Sequence, residues 1–292
     1  MKSKNTAHKV PLPFIWEDLT ADEFAYAVKA SKGVCLLPLG CVEKHGRHMP
    51  LSTDLILAQE LCRRAAAEVP AVVAPCMPFG HVSEVRHGPG TFALSTETLM
   101  NVLRETCDEI GRNGFTKIII VNGHGGNQPI ISTLLNDRLD KRRSYALFSA
   151  FVCNSWAPGE EEEFSRRFFG LPRLPECGHA DVQETPLVMA VRPETIHMER
   201  NVPKETHRLG RLAHLHDLGI KTSVDWYADY PEQIMGDPTG STPECGEYLY
   251  ALRVKKLVNA IQAIQKDTTT LKLLDQFYAA AETPLKQAHP VP

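Results

Sequence analysis

Three short polar stretches of this chain hold the side chains best suited to chemistry. The first runs Gly40-Cys41-Val42-Glu43-Lys44-His45-Gly46-Arg47-His48-Met49-Pro50-Leu51-Ser52-Thr53-Asp54. In an extended segment residues i and i+2 point to the same side, so Glu43 and His45 can converge on one point. Asp54 stands where the chain enters a helix, and a turn brings its carboxylate back beside them. The second stretch is Asn122-Gly123-His124-Gly125-Gly126-Asn127, whose glycines permit positive φ and close approach of backbone to a ligand. The third is Gly178-His179-Ala180-Asp181-Val182-Gln183-Glu184-Thr185. Taken singly, Asp54 reads as an acid at the positive end of a helix dipole, and Glu43 and Asp181 read as solvated charges. Taken together, three loops that each offer histidine beside carboxylates point to one metal centre. Mixed imidazole and carboxylate donors suit Zn, Mn or Fe better than Ca or Mg.

The elements that must position these loops alternate between strand and helix. Gly33 to Leu39 is a short apolar run ended by Gly40, and the first polar loop leaves it directly. Leu57, Leu61 and Ala65, with Ala58 and Cys62, form a helical stripe opposed by Gln59, Glu60, Arg63 and Arg64. Ala71 to Ala74 is a second buried strand. Ser95 caps a helix striped by Leu99, Val102, Leu103, Cys107 and Ile110, and Gly114 ends it. Lys117 to Val121 is the clearest strand, and the second polar loop follows it. Pro129 then falls in the first turn of another helix, with Asn127 or Gln128 as its cap; proline suits a turn whose N–H groups have no intrahelical partner. Tyr145 to Val152 reads as a fourth strand, residues 153–178 as a long excursion, and Thr242-Pro243 as the opening of a helix with Val254, Leu257, Val258, Ile261 and Ile264 on one side. This alternation predicts an α/β fold, a single domain over 1–292, with a mostly parallel sheet covered on both faces. In such sheets ligands gather beyond the carboxyl ends of the strands.

Composition removes several other classes of function. The 32 Lys+Arg against 35 Asp+Glu give a net charge of −3, without the basic excess of a nucleic-acid binder. No apolar stretch approaches a membrane span, and the N-terminus carries no apolar signal region, so a cytoplasmic protein is expected. The eight cysteines include no Cys-x-x-Cys pair, which predicts buried reduced thiols rather than a zinc-thiolate site or a disulfide frame. Cys41 and Cys177 each lie near a loop histidine, but a thiol-dependent enzyme would leave Glu43, Asp54 and Glu184 without a role.

The pattern Glu43-x-His45-Gly46-x-His48-x-Pro50-x-x-Thr53-Asp54, then Asn122-Gly123-His124-Gly125-Gly126-Asn127, then His179-Ala180-x-x-x-Glu184-Thr185, resembles the creatininase (creatinine amidohydrolase) family. His87-Gly88-Pro89-Gly90-Thr91 and Gly236-Asp237-Pro238 add to it, and the resemblance spans about residues 33–265. It implies a three-layer α/β/α fold, two divalent metal ions (Zn or Mn), hydrolysis of C–N bonds in small cyclic or formyl amides, and a homo-oligomer, commonly a hexamer. Carried over, Glu43 and His124 ligate one metal, His45 the other, and Asp54 bridges them. Creatininase proper has a glutamate two positions after the second-loop histidine; here that position is Gly126, and the ligand role falls to Glu184. Trp156 matches a pocket tryptophan. On this reading a bridging hydroxide attacks the substrate, backbone N–H groups of Gly125, Gly126 and Asn127 receive the oxyanion, and His179 shuttles a proton to the leaving group. His48 orients the substrate or braces its loop. Carbon–carbon ring opening of a cyclic ketone such as a dehydro-inosose, and a catalytically silent metal-binding homologue, are the competing readings.

Overall fold

The computed structural model describes residues 10–151 and 156–287. Five strands, β1 (Phe14–Ile15), β2 (Val34–Leu39), β3 (Val72–Val73), β4 (Lys117–Asn122) and β5 (Ala146–Phe151), form one all-parallel sheet in the order β1-β3-β2-β4-β5. Every residue of β2 and β4 is buried, as an apolar run covered on both faces requires.

Alternation along the strands divides the core into two layers. Cys35, Leu37, Leu39, Ile118 and Ile120 face α1 (Ala21–Ala30), α3 (Thr96–Arg112) and α4 (Gln128–Asp137), packing against Ala27, Leu99, Leu103, Ile130 and Leu134. Val34, Leu36, Ile119 and Val121 face the other way, onto Leu61, Cys62 and Ala65 of α2 (Thr53–Glu68) and onto Val254, Leu257, Val258 and Ile261 of the long helix Pro243–Lys266. The result is the expected α/β/α sandwich. Lys117 fastens its lower edge, donating from Nζ to the carbonyls of Ile264, Gln265 and Asp267 at the end of that long helix.

Connectivity decides where the site lies. From β2 the chain crosses by α2 to β3 on one side; from β4 it crosses by α4, on the opposite layer, to β5 on the other side. β2 and β4 are neighbours, with Leu39 opposite Asn122, so their outgoing loops part at a topological switch point. A crevice must open there. The first two polar loops are its walls.

Two regions differ from the sequence expectation. The N-terminal β1 and α1 lie ahead of the first expected strand; α1 carried a legible signal, the capping box of Thr20 and Glu23. The stretch read as an excursion over 153–178 contains α5 (Glu160–Phe169), whose buried Phe164 packs beside Leu174, while residues 152–155, with Cys153, lie outside the described residues. Beyond α6 (Thr185–Val191) the chain makes short turns and two small helices, α7 (Ala213–His216) and α8 (Asp225–Asp229), before the long α9 (Pro243–Lys266) and the final α10 (Thr269–Ala281). Among the described residues no helix is long and apolar enough to cross a membrane, and the described cysteines are all free.

Candidate metal centre

Backbone contact comes first, because it sets where Asp54 can be. A Cβ at Gly40 would lie 2.7 Å from the Asp54 carbonyl carbon, and one at Gly123 would lie 2.5 Å from its oxygen. Only glycine lets the ends of β2 and β4 close on the first turn of α2 in this way. Asp54 is thereby held between the two loops, 1% exposed.

Its two carboxylate oxygens face different partners. Asp54 Oδ1 lies 3.2 Å from His45 Nε2, and Oδ2 lies 3.1 Å from His124 Nδ1. Glu43 Oε1 is 3.0 Å from the same His124 nitrogen and 3.9 Å from His45 Nε2. Glu184 Oε2 stands 3.7 Å from His45 Nε2. Both rings are oriented from behind: His45 Nδ1 donates to the Glu43 carbonyl at 3.3 Å, and His124 Nε2 donates to the His81 carbonyl at 3.1 Å. Each imidazole thus presents its other nitrogen to the carboxylates, the orientation that metal-binding histidines require. Three donor groups result, Cys41–Glu43–Asp54–His124, Glu43–His45–His179 and His45–Asp54–Glu184, each with its donor atoms within 4.8 Å of one another.

The polar atoms at the middle of this cluster are unsatisfied. Both carboxylate oxygens of Glu43 and Nε2 of His45 are buried without a hydrogen-bond partner. Buried polar groups are almost always paired, so a set of orphaned donors converging on one point fits a cation between them. The charges already favour that polarity. Burial alone would discharge His45, but Asp54, Glu184 and Glu43 outweigh it and push its pKa up to about 9. Burial likewise opposes the Asp54 charge, and His45 and His124 hold it ionised, well below the usual carboxylate range.

Cys41 belongs to the cluster in space. Burial, with Asp54 beside it, keeps the thiol well above its ordinary pKa, and Sγ donates to Asp54 Oδ2 at 2.8 Å. A thiolate is the nucleophilic and metal-binding form, and burial of Cys41 disfavours it. Cys41→Ser, which keeps a donor to Asp54, is expected to retain metal content by elemental analysis and activity within about tenfold, ~1.4 kcal/mol of barrier.

The third loop resolves two acids that look alike in sequence. Asp181 accepts from the amides of Gly178 at 2.7 Å and Gln183 at 2.8 Å, one on each oxygen, and shapes the loop. Burial and the nearby Glu184 push its pKa up to about 7. Glu184 instead takes the Ala180 amide at 2.7 Å and keeps its carboxylate at the cluster. Burial raises the pKa of Glu184 as well, against the pull of His45. His179 stacks on His45 with ring centroids 4.2 Å apart, and its Nε2 donates to the Lys44 carbonyl. Glu184 is the N-cap of α6, with Pro186 in the helix's first turn, so the acid closes the loop rather than riding on the helix.

A cavity of about 310 Å³ opens onto this cluster, lined by Glu43, Glu84, Val85, His124, Gly125, Gly126, Gly178, His179, Glu184, Trp226 and Met235. Three residues expected to touch substrate are placed elsewhere. His48 is buried and pairs through Nε2 with Thr185 Oγ1 at 3.1 Å, tying the first loop to the third. Asn127 is also buried: its side chain accepts the His81 amide and donates to Asn122, and its own amide is taken by the His124 carbonyl. Its backbone N–H is therefore engaged within the turn. Trp156 donates to Gln183 Oε1 at 2.9 Å and lines a separate cavity beside Glu161 and Arg173. The tryptophan over the cluster is Trp226 of α8, whose ring meets His179 edge-on at 5.6 Å. Nothing in spacing ties residue 226 to the three loops. Glu84 sits just before the His87-Gly88-Pro89-Gly90-Thr91 stretch, which was its one available signal.

Comparison with known proteins bears on this geometry. The chain matches the family model described as creatininase, creatinine amidohydrolase, over residues 17–261. It is 28% identical over 193 residues to a creatinine amidohydrolase of Pseudomonas putida (63% of this chain, 74% of the relative). It is 28% identical over 247 residues to a mycofactocin precursor peptide peptidase of Mycolicibacterium smegmatis (81% and 87%). A 3-dehydro-scyllo-inosose hydrolase of Thermotoga maritima is 24% identical over 222 residues (72% and 70%). The fold matches a solved creatininase with a TM-score of 0.70 at 24% identity, covering 87% of this chain and 98% of that one. A manganese creatininase matches at 0.69 and 22%, covering 88% and 100%, and a Zn–Zn creatininase variant at 0.69 and 23%, covering 87% and 98%. With the family pattern running through all but the ends of the sequence, and buried His, Glu and Asp clusters where its loops meet, this chain belongs to the creatininase family of metal-dependent hydrolases.

Proposed function

We propose that the chain hydrolyses a C–N bond of a small cyclic or formyl amide with two divalent cations, Zn or Mn, held by Glu43, His45, Asp54, His124 and Glu184. The observation that carries this reading is the division of Asp54: one oxygen faces His45 and Glu184, the other faces His124 and Glu43. Glu43 and His124 would hold one ion and His45 and Glu184 the second, with Asp54 standing between the two sets. Such a pair of cations, when bound, polarises a carbonyl and lowers the pKa of a shared water toward ~7.

The chain's own groups do the rest. His179 is held against the cluster by its stack on His45. With Nε2–H given to the Lys44 carbonyl, its Nδ1 lone pair is free to take a proton from the attacking water and pass it to the departing nitrogen. The Gly125 and Gly126 amides, at the cavity wall ahead of α4, are the donors for the developing oxyanion. A cavity of about 310 Å³ is at the small end of ligand sites and supports a compact substrate.

The test is hydrolysis of a panel of cyclic and formyl amides by metal-loaded protein in ¹⁸O water, with amine detection and product mass spectrometry. The expected product carries ¹⁸O in a new carboxylate and releases an amine or ammonia. Label taken up across a carbon–carbon bond of a cyclic ketone would replace the amide assignment by the ring-opening one. Protein that binds no metal would overturn both.

A further inference from the structure

We propose that Gln233 is a positioning residue: it fixes the indole of Trp226 beside His179 at the cavity and fastens that wall to the first metal loop. This rests on the cavity being the substrate site, and it adds what holds the wall in place. Gln233 is completely buried, in the stretch that returns across the open end of the sheet. Its backbone is left-handed, φ 57°, a conformation that a non-glycine residue keeps only where its surroundings impose it.

Those surroundings engage every polar group of the residue. The Gln233 carbonyl accepts the Gly46 amide at 2.6 Å, next to His45 in the chain, and its amide donates to the Tyr230 carbonyl at 3.0 Å. In the side chain, Oε1 accepts the indole N–H of Trp226 at 2.7 Å. Nε2 donates to the Tyr230 carbonyl at 3.0 Å and lies 3.1 Å from His87 Nε2. Only this orientation of the amide serves both partners, because an indole N–H can only donate and a carbonyl can only accept. Trp226 otherwise packs against Val82 and Val85, and its ring meets His179 edge-on. Apolar packing of that kind leaves an indole free to slide, whereas the bond to Gln233 sets its direction. Two ion pairs join the same stretches, Lys44 to Glu232 at 2.6 Å and Arg47 to Glu205 at 2.7 Å, but both are partly exposed and such pairs hold little. The His87-Gly88-Pro89-Gly90-Thr91 stretch closes the junction: His87 reaches Gln233, and a Cβ at Gly90 would lie 2.3 Å from Leu51 of the first loop.

The experiment labels the protein with 5-fluorotryptophan, which marks Trp16, Trp156 and Trp226, and assigns the Trp226 ¹⁹F resonance by its absence from W226F. Q233M, which removes the acceptor, is expected to shift the Trp226 resonance toward that of free 5-fluorotryptophan and to leave the other two in place. Q233E, which keeps an acceptor oxygen for the indole, is expected to hold the Trp226 resonance at its wild-type position. Methionine and glutamate carry the same Cβ as glutamine, so the left-handed turn is strained alike in all three. If Q233M does not fold, Q233N, one methylene too short to reach the indole, takes its place with the same expectations. An unmoved Trp226 resonance in the acceptor-less variant, equal displacement in Q233E, or all three resonances shifting together would each overturn the proposal. Failure of the hydrolase reading would appear separately, as absent ¹⁸O incorporation with the tryptophan response intact.

Discussion

Asp54→Ala is expected to lose both metal ions and at least about 10³-fold in turnover, while its far-UV circular dichroism matches wild type. The fold should survive because Asp54 is positioned through its backbone, pressed between Gly40 and Gly123, and alanine keeps that contact. The side chain alone joins the two donor groups, so neither His45 with Glu184 nor His124 with Glu43 retains a shared ligand. Elemental analysis after dialysis checks the first half. Full metal occupancy in the variant would reject the bridging role.

Chelated protein supplies an independent check on the same pair. In the metal-free fold the pKa of His45 stands at about 9, above its ordinary 6.5, with Asp54 foremost among the groups that raise it. A group whose pKa is raised on folding adds stability below its unfolded value and loses it as pH rises through the folded one. Metal-free wild type should therefore lose stability between about pH 6.5 and 9. Asp54→Ala should flatten that slope, measured as urea midpoint against pH. An unchanged slope would show that Asp54 is not the charge His45 answers to.

How much of this was legible in the sequence follows the range of the forces involved. β2 and β4 announced themselves because strands buried on both faces are apolar throughout, and their loops because glycine, histidine and acid are concentrated there. Three loops were recognisable by residue type as one centre, the family resemblance singled out five ligands, and the structure brings Glu43, His45, Asp54, His124 and Glu184 together. What spacing could not convey was the far wall. Trp226 reaches the cavity because the chain returns from α6 across the open end of the sheet, and the His179–Met235 bridge fastens that return to the third loop. Trp156 was the better match by position, but its indole N–H is drawn to Gln183, away from the cluster. His48 shows the same limit from the other side: its loop is the metal loop, yet its ring turns inward to Thr185. A short local pattern specifies which residue types are near a site, whereas side-chain direction depends on partners 100 or more residues away, as for His48 and Thr185.

Glu184→Gln is expected to hold one metal ion in place of two and to lose at least about 10²-fold in activity, more than an outer partner of a ligand usually costs. Glutamine preserves the size of the side chain, and its carbonyl oxygen can still accept the Ala180 amide, so the third loop should keep its shape. What it removes is the charge near His45 Nε2, and a neutral amide is a far poorer partner for a divalent cation than a carboxylate. Asp181→Asn is the control, because the two acids share a loop and differ only in what holds them. Both Asp181 oxygens are occupied by backbone amides, so asparagine must set its NH₂ against the N–H of Gly178 or Gln183. The cost is one buried donor left without an acceptor, about 1–3 kcal/mol of stability, and no change in metal stoichiometry. The two variants should therefore separate cleanly, one losing an ion at nearly wild-type stability and the other losing stability with both ions in place. The reverse result, two metals in Glu184→Gln and one in Asp181→Asn, would exchange their roles: the left-handed turn at Ala180, φ 57°, would then have to open to turn Asp181 toward His45.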